Sequence, residues 1–73
     1  MYVIVYLRRG GDGRPKVAGY GATSDNPTLL ETHGGGRGEP DNYDVRAVLR
    51  VKPGGLLSVS RSAAERALTA AGY

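Results

Sequence analysis

Residues 2 to 9, YVIVYLRR, are mostly β-branched and aromatic before the two arginines, and they read as a strand. A period of two puts Val3, Val5 and Leu7 on one face and Tyr2, Ile4 and Tyr6 on the other. Both faces are apolar, which marks either a central strand or a strand awaiting a partner. Gly10, Gly11, Asp12 and Gly13 then force a turn, because glycine reaches positive φ without a steric penalty. Residues 16 to 22, KVAGYGA, predict a weaker second strand running back antiparallel. Gly19 and Gly21 within it point to a bulge or a close backbone approach.

The stretch SDNPTLLETHGGG has two readings. Asn26 and Pro27 supply the cap and first-position signals of a short helix, with Gly34 as its stop. The competing reading is a turn that leads into an extended TLLET. Residues 34 to 42, GGGRGEPDN, predict a mobile loop. The cleanest alternation lies in residues 43 to 52, YDVRAVLRVK. There Val45, Ala47, Leu49 and Val51 face one way, and Asp44, Arg46, Arg50 and Lys52 face the other. This predicts a half-buried strand with a wet, basic outer face, ended by Pro53, Gly54 and Gly55. A C-terminal helix follows over about 60 to 71, with Ala64, Ala67, Leu68 and Ala71 as its apolar stripe and Gly72 as its stop. Ser62 and Glu65 have capping-box spacing, and Ser60 competes as the N-cap. The fold class is therefore α+β: a small three- or four-stranded, mostly antiparallel sheet with one C-terminal helix packed on a face. Residues 1–73 make one domain with a flexible glycine-rich loop at about 34–42.

Composition sharpens this. Valine, isoleucine and leucine number only 15 of 73 residues, so the core is small and an enclosed active-site cavity is not expected. A domain near this size buries roughly 60% of its unfolded surface and is stable by only a few kcal/mol. Cysteine is absent, which removes disulfides and thiolate metal sites. Arginine outnumbers lysine eight to two, and Gly, Ala, Arg and Pro supply 32 residues. Those four are specified by GC-rich codons, which points to a GC-rich bacterial genome or a phage of such a host. The net charge of +3 is mild, with acids interspersed among the bases. No run approaches the roughly 20 apolar residues of a membrane span, and Tyr2 to Leu7 is too short for a signal-peptide core. The expectation is a monomer of the bacterial cytoplasm.

Catalytic and metal chemistry find little material. His33 is the lone histidine, and joining it with Glu31 and Asp25 in a metal site needs further ligands, so a solvated loop histidine is the better reading. Glu39, Asp41 and Asp44 cluster without calcium-loop spacing. The glycine runs Gly10 to Gly13 and Gly34 to Gly38 lack the GxxxxGK[ST] pattern of a phosphate cradle, and turn chemistry explains them. No catalytic residue, metal or cofactor is expected, and the chain reads as no enzyme.

Surface chemistry offers more. Tyr2, Tyr6, Arg8 and Arg9, with Arg14 and Lys16 across the hairpin, are the expected protein-binding residues, since tyrosine and arginine dominate binding hot spots. The alternative there is a solvated hairpin face with two core tyrosines. Arg46, Arg50, Lys52, Arg61 and Arg66 are the expected contacts if the partner is nucleic acid instead.

Two resemblances bear on the partner. The segment LSVSRSAAERALTAAGY resembles the recognition helix of winged helix-turn-helix repressors, in which positions matching Ser60, Arg61 and Ser62 meet phosphates or bases. RVKPGG stands where that motif needs a preceding helix, and Pro-Gly-Gly is no helix interior. In size, arginine bias and its YVIVYLRRGGDGRPK opening, the chain is similar to small phage-encoded inhibitors of bacterial RNA polymerase. That resemblance implies binding to the largest polymerase subunit near its N-terminus, blocked promoter engagement and altered termination.

Overall fold

The computed structural model describes residues 1–32, 38–51 and 60–73. Strand β1 (Tyr2–Arg9) is central in a three-stranded sheet of order β2-β1-β3. Both neighbours, β2 (Pro15–Ser24) and β3 (Val45–Arg50), run antiparallel to it. Helix α1 (Pro27–Thr32) follows β2, and helix α2 (Arg61–Ala70) closes the chain. This is the expected α+β arrangement, with three strands.

Five consecutive β1 residues, Val3 to Leu7, are at most 1% exposed. Their alternation divides the core in two. Val3, Val5 and Leu7 join Val17, Ala47, Val51, Ala64 and Leu68 beneath α2. Ile4 and Tyr6 join Leu30 of α1, flanked by Tyr2, Ala22, Tyr43 and Val48. The strand is thus central and covered on both faces.

The β1–β2 turn is a three-residue hairpin loop. The Gly10 amide donates to the Arg14 carbonyl and the Gly13 amide to the Gly10 carbonyl, both at 2.9 Å. Gly13 sits at φ 77°, the left-handed position that such a loop requires. Strand β2 is longer than the 16 to 22 predicted. Its pairing register slips twice, once opposite Val3/Val5 and once opposite Tyr6/Leu7. These irregularities fall at the glycines read as bulge signals. At Gly21 the approach is close: a Cβ there would lie 3.0 Å from Cε2 of Tyr6 and 3.2 Å from Cβ of Ile4. Tyr20 points under α2, with its hydroxyl buried and lacking a hydrogen-bond partner among the described residues.

Six residues make a marginal helix, so α1 depends on its ends. Asn26 Oδ1 accepts from the Thr28 amide at 3.0 Å, and Pro27 takes the first position, as the sequence implied. Gly34, the expected stop, lies outside the described residues. Arg46 of β3 instead donates from Nη2 to the Glu31 carbonyl at 2.9 Å, satisfying one of the orphaned carbonyls of the last turn.

That contact corrects the picture of β3. The strand spans Val45–Arg50 rather than 43 to 52, because Asp44 turns back to accept the Arg9 amide at 2.8 Å. The face bearing Arg46 and Arg50 is not wet throughout, since Arg46 is half-buried against α1 and Val48 packs beside Tyr6. Lys52 and the Pro53-Gly54-Gly55 terminator lie outside the described residues.

Helix α2 resolves its competing caps. Ser60 is the N-cap, its hydroxyl accepting from the Ala63 amide at 3.1 Å. Glu65 is not half of a capping box. Its Oε2 accepts from the Val17 amide on β2 at 2.8 Å. Only Ala64 and Leu68 of the predicted stripe are buried, while Ala67 and Ala71 face solvent. The helix ends in a Schellman turn: Gly72 at φ 93°, its amide on the Thr69 carbonyl and the Tyr73 amide on the Leu68 carbonyl. Because β3 is a strand, no helix-turn-helix is present among the described residues, and the likeness of this segment to a recognition helix is local.

Two substitution sets test this core. Gly21→Ala forces a methyl against the rigid Tyr6 ring and is expected to cost about 1–3 kcal/mol, whereas Gly11→Ala, with nothing within 4 Å of its Cβ, should be close to neutral. Glu65→Ala strips the half-buried Val17 amide of its acceptor and should cost about 1–3 kcal/mol. Glu65→Gln keeps a carbonyl oxygen there and should cost less. Urea unfolding of the four variants gives the ranking, and equal midpoints for Gly21→Ala and Gly11→Ala would refute the close approach.

Candidate functional site

Of the six residues expected to bind a protein, Arg8, Arg9 and Lys16 line a groove at the turn end of the β1–β2 hairpin. It is an open cleft of about 560 Å³ lined by Arg8, Arg9, Gly10, Lys16, Val17, Ala18, Pro40 and Asn42. Arg8 and Lys16 are cross-strand partners in the β1–β2 ladder, and Arg9 is paired with Pro15. Residues directly opposite have Cβ atoms roughly 5 Å apart, so the two cations share one face. Both side chains are exposed and make no hydrogen bond or ion pair among the described residues.

The other expected residues divide by role. Arg9 is exposed but committed: its guanidinium Nη1 donates to the Tyr73 carbonyl, tying the end of the chain to the end of β1. Arg14 stands outside the groove lining, with Nε 3.9 Å from Asp12 Oδ2. Tyr6 is a correction. It is 1% exposed, its ring 4.8 Å from that of Tyr43, so it is a core residue and cannot anchor a partner. Tyr2 is half-buried and packs against the same cluster. Of the two readings of this face, the tyrosines follow the core one and the cations the surface one.

The opposite wall comes from a segment that the sequence showed only as loop. Gly38, at φ 84°, lies so close to β2 that a Cβ would collide with the Tyr20 carbonyl oxygen. Pro40 follows, 3.7 Å from where a Gly19 Cβ would stand. Tyr43 Oη donates to Glu39 Oε1 at 2.6 Å, and that carboxylate pushes the phenol's ionisation up. Asn42 and Pro40 therefore enter the groove through a positive-φ glycine and a proline, with no pattern in the sequence to announce them. Residues 33–37, including His33 and the first part of the expected mobile loop, lie outside the described residues.

The local carboxylates are largely spoken for. Asp12 accepts from the Arg14 amide at 2.9 Å, which holds its carboxyl below the ordinary range, with the charges of Lys16 and Arg14 adding to the effect. Asp44 accepts from the Arg9 amide. Of the acidic trio, Glu39 thus accepts from Tyr43 and Asp44 from the Arg9 amide. No group of three or more metal-ligating side chains occurs among the described residues.

Of the residues expected for nucleic acid, the four that are described are not brought onto one surface, and Lys52 lies outside the described residues. Arg46 is occupied with α1, Arg50 is exposed on the same side of the sheet, and Arg61 and Arg66 are exposed on α2, across the sheet. Among the described residues no helix is long and apolar enough to cross a membrane. No protein family, characterised protein or solved structure matches the chain at a significant level.

The Asp12 contact sets a pH dependence. A carboxyl whose folded pKa is lowered stabilises the fold above its unfolded pKa, and the contribution fades as pH falls through the folded value. Asp12→Asn should therefore flatten the acid side of the pH–stability curve below about pH 4. Amide exchange at Arg14 should quicken at neutral pH. An unchanged acid limb would mean that the turn does not depend on this carboxylate.

Proposed function

We propose that this chain is a non-enzymatic protein-binding domain that occludes a functional surface of bacterial RNA polymerase. The observation that carries the binding reading is the Arg8–Lys16 pair at the rim of an open groove. Like charges directly opposite across a ladder are destabilising, and a small domain with little stability to spare keeps them where an anionic partner can lie. A shallow open site on a rigid sheet suits a protein segment, whose affinity comes from a few anchors rather than from total area.

The polymerase as target rests on the likeness in size, arginine bias and YVIVYLRRGGDGRPK opening to small phage-encoded inhibitors of that enzyme. On this reading the partner is the largest subunit of the host enzyme, the setting is the host bacterial cytoplasm, and a monomer acts by covering a surface needed for initiation or for termination. Direct nucleic-acid binding has less support, because Arg46 is committed to α1 and Arg61 and Arg66 stand on the other side of the sheet from Arg50.

Purified polymerase holoenzyme from a GC-rich bacterium provides the test. Nuclease-resistant association at about micromolar affinity or tighter is expected, with reduced promoter-dependent run-off transcription. No association with nuclease-treated polymerase overturns the proposed target. Binding to DNA alone, with affinity falling steeply as salt rises, would replace the protein partner with nucleic acid.

A further inference from the structure

We infer that the groove at the hairpin end takes an extended acidic segment of a protein partner, with one carboxylate held between Arg8 and Lys16. The inference deepens the protein-binding reading above and rests on it. Three features of the site specify this occupant. The first is charge. Arg8 and Lys16 project from paired positions on adjacent strands, so their head groups can converge on one anion. Two carboxylates at the hairpin end already accept backbone amides, Asp12 from Arg14 and Asp44 from Arg9.

The second feature is the wall. Ala18 and Pro40 offer short apolar groups, and Asn42 brings an amide that both donates and accepts. An extended peptide has just these needs, with side chains to bury on one side and backbone groups to pair. A phosphate backbone gains nothing from the apolar groups.

The third feature is the extent of the positive charge. Asp12 and Asp44 flank the hairpin end, and Arg14 and Arg9 are engaged with Asp12 and the Tyr73 carbonyl. The exposed cations of the groove that make no hydrogen bond or ion pair among the described residues are one cross-strand pair, Arg8 and Lys16, and Lys16 also acts on the Asp12 carboxylate. A polyanion contacting six to ten phosphates needs a longer track. One or two carboxylates do not.

The bulge in β2 shapes the site. The register slips between the Tyr6 and Leu7 pairings, which run to Gly19 and Val17 and leave Ala18 as the extra residue. Glu65 occupies the Val17 amide on the other side. A partner therefore lies along the groove and does not add a strand at that position.

The test uses the full chain and three probes: an acetylated, amidated Asp-Glu octapeptide, the matching Asn-Gln octapeptide, and an eight-nucleotide oligothymidylate. Backbone amide shifts are followed by NMR. The acidic peptide is expected to shift Gly10, Lys16, Ala18 and Asn42, leaving the α2 amides still. Arg8→Gln with Lys16→Gln should weaken it at least about tenfold while the remaining spectrum reports an intact fold. Equal shifts with the Asn-Gln peptide, or binding by the oligothymidylate alone, overturns the inference, as does silence from all three at millimolar concentration. Polymerase capture separates this from the reading beneath it. A double variant that still captures polymerase in full sinks the groove and spares the function. A wild-type chain that captures none sinks the function, and the peptide titration still judges the groove.

Discussion

The burial of β1 on both faces is the constraint from which the rest of the structure follows. Val3 to Leu7 are consecutive and all but inaccessible to solvent. Burying an aliphatic or aromatic side chain is worth about 1.5–3 kcal/mol, so this strand is the main source of stability in a chain with few large apolar residues. One helix cannot cover two faces. Helix α2 takes the Val3/Val5/Leu7 side, and the other side falls to α1, a helix too short to hold itself. The devices around α1 follow from that need: Asn26 at its start, Leu30 beneath it, and Arg46 reaching across from β3 to its last turn.

The same constraint shapes the neighbouring strand. Tyr6 is the largest fully buried side chain, and its ring lies close against β2 at Gly21. Gly21 makes the space, and the adjoining slips in register follow. Bulges twist an edge strand and spoil it as a template for further pairing. Here the edge is closed further by the Glu65 carboxylate on the Val17 amide and by Gly38 against the Tyr20 carbonyl. Each closure is made by a residue far away in sequence.

That distance decides what was legible beforehand. Strand β1, the glycine turn, the Asn26 cap and the C-terminal stop at Gly72 could be read because each is set by neighbours within a few residues. The strand character of β3 was legible from its alternation, and the bulges were legible as glycines in a strand. The roles of Arg46 and Glu65 were not. A charged residue on an alternating strand reads as solvated, and a glutamate three residues after a serine reads as a capping box. Only the packing of α1 and α2 on the sheet gives those two side chains a backbone group to serve. Tyr6 was ambiguous for a related reason. A two-sided apolar strand carries no sign of which face a short helix will cover.

Arg8 and Arg9 show how the fold turns composition into a site. They are adjacent and identical, yet the strand sends them to opposite sides of the sheet. On the side of Leu7, Arg9 meets the turn that ends α2 and donates to the Tyr73 carbonyl. On the side of Tyr6, Arg8 is exposed and paired with Lys16 across the ladder. One arginine therefore fastens the chain and the other is left facing outward. The net charge of +3 says little by itself about partners. Distributed this way, with Arg9, Arg14 and Arg46 consumed internally, it leaves a cation pair beside a groove whose far wall is set by Gly38 and Pro40. The binding character of the molecule thus depends on which cations the fold engages, since Arg46 gives its guanidinium to the last turn of α1 while Arg8 stays exposed.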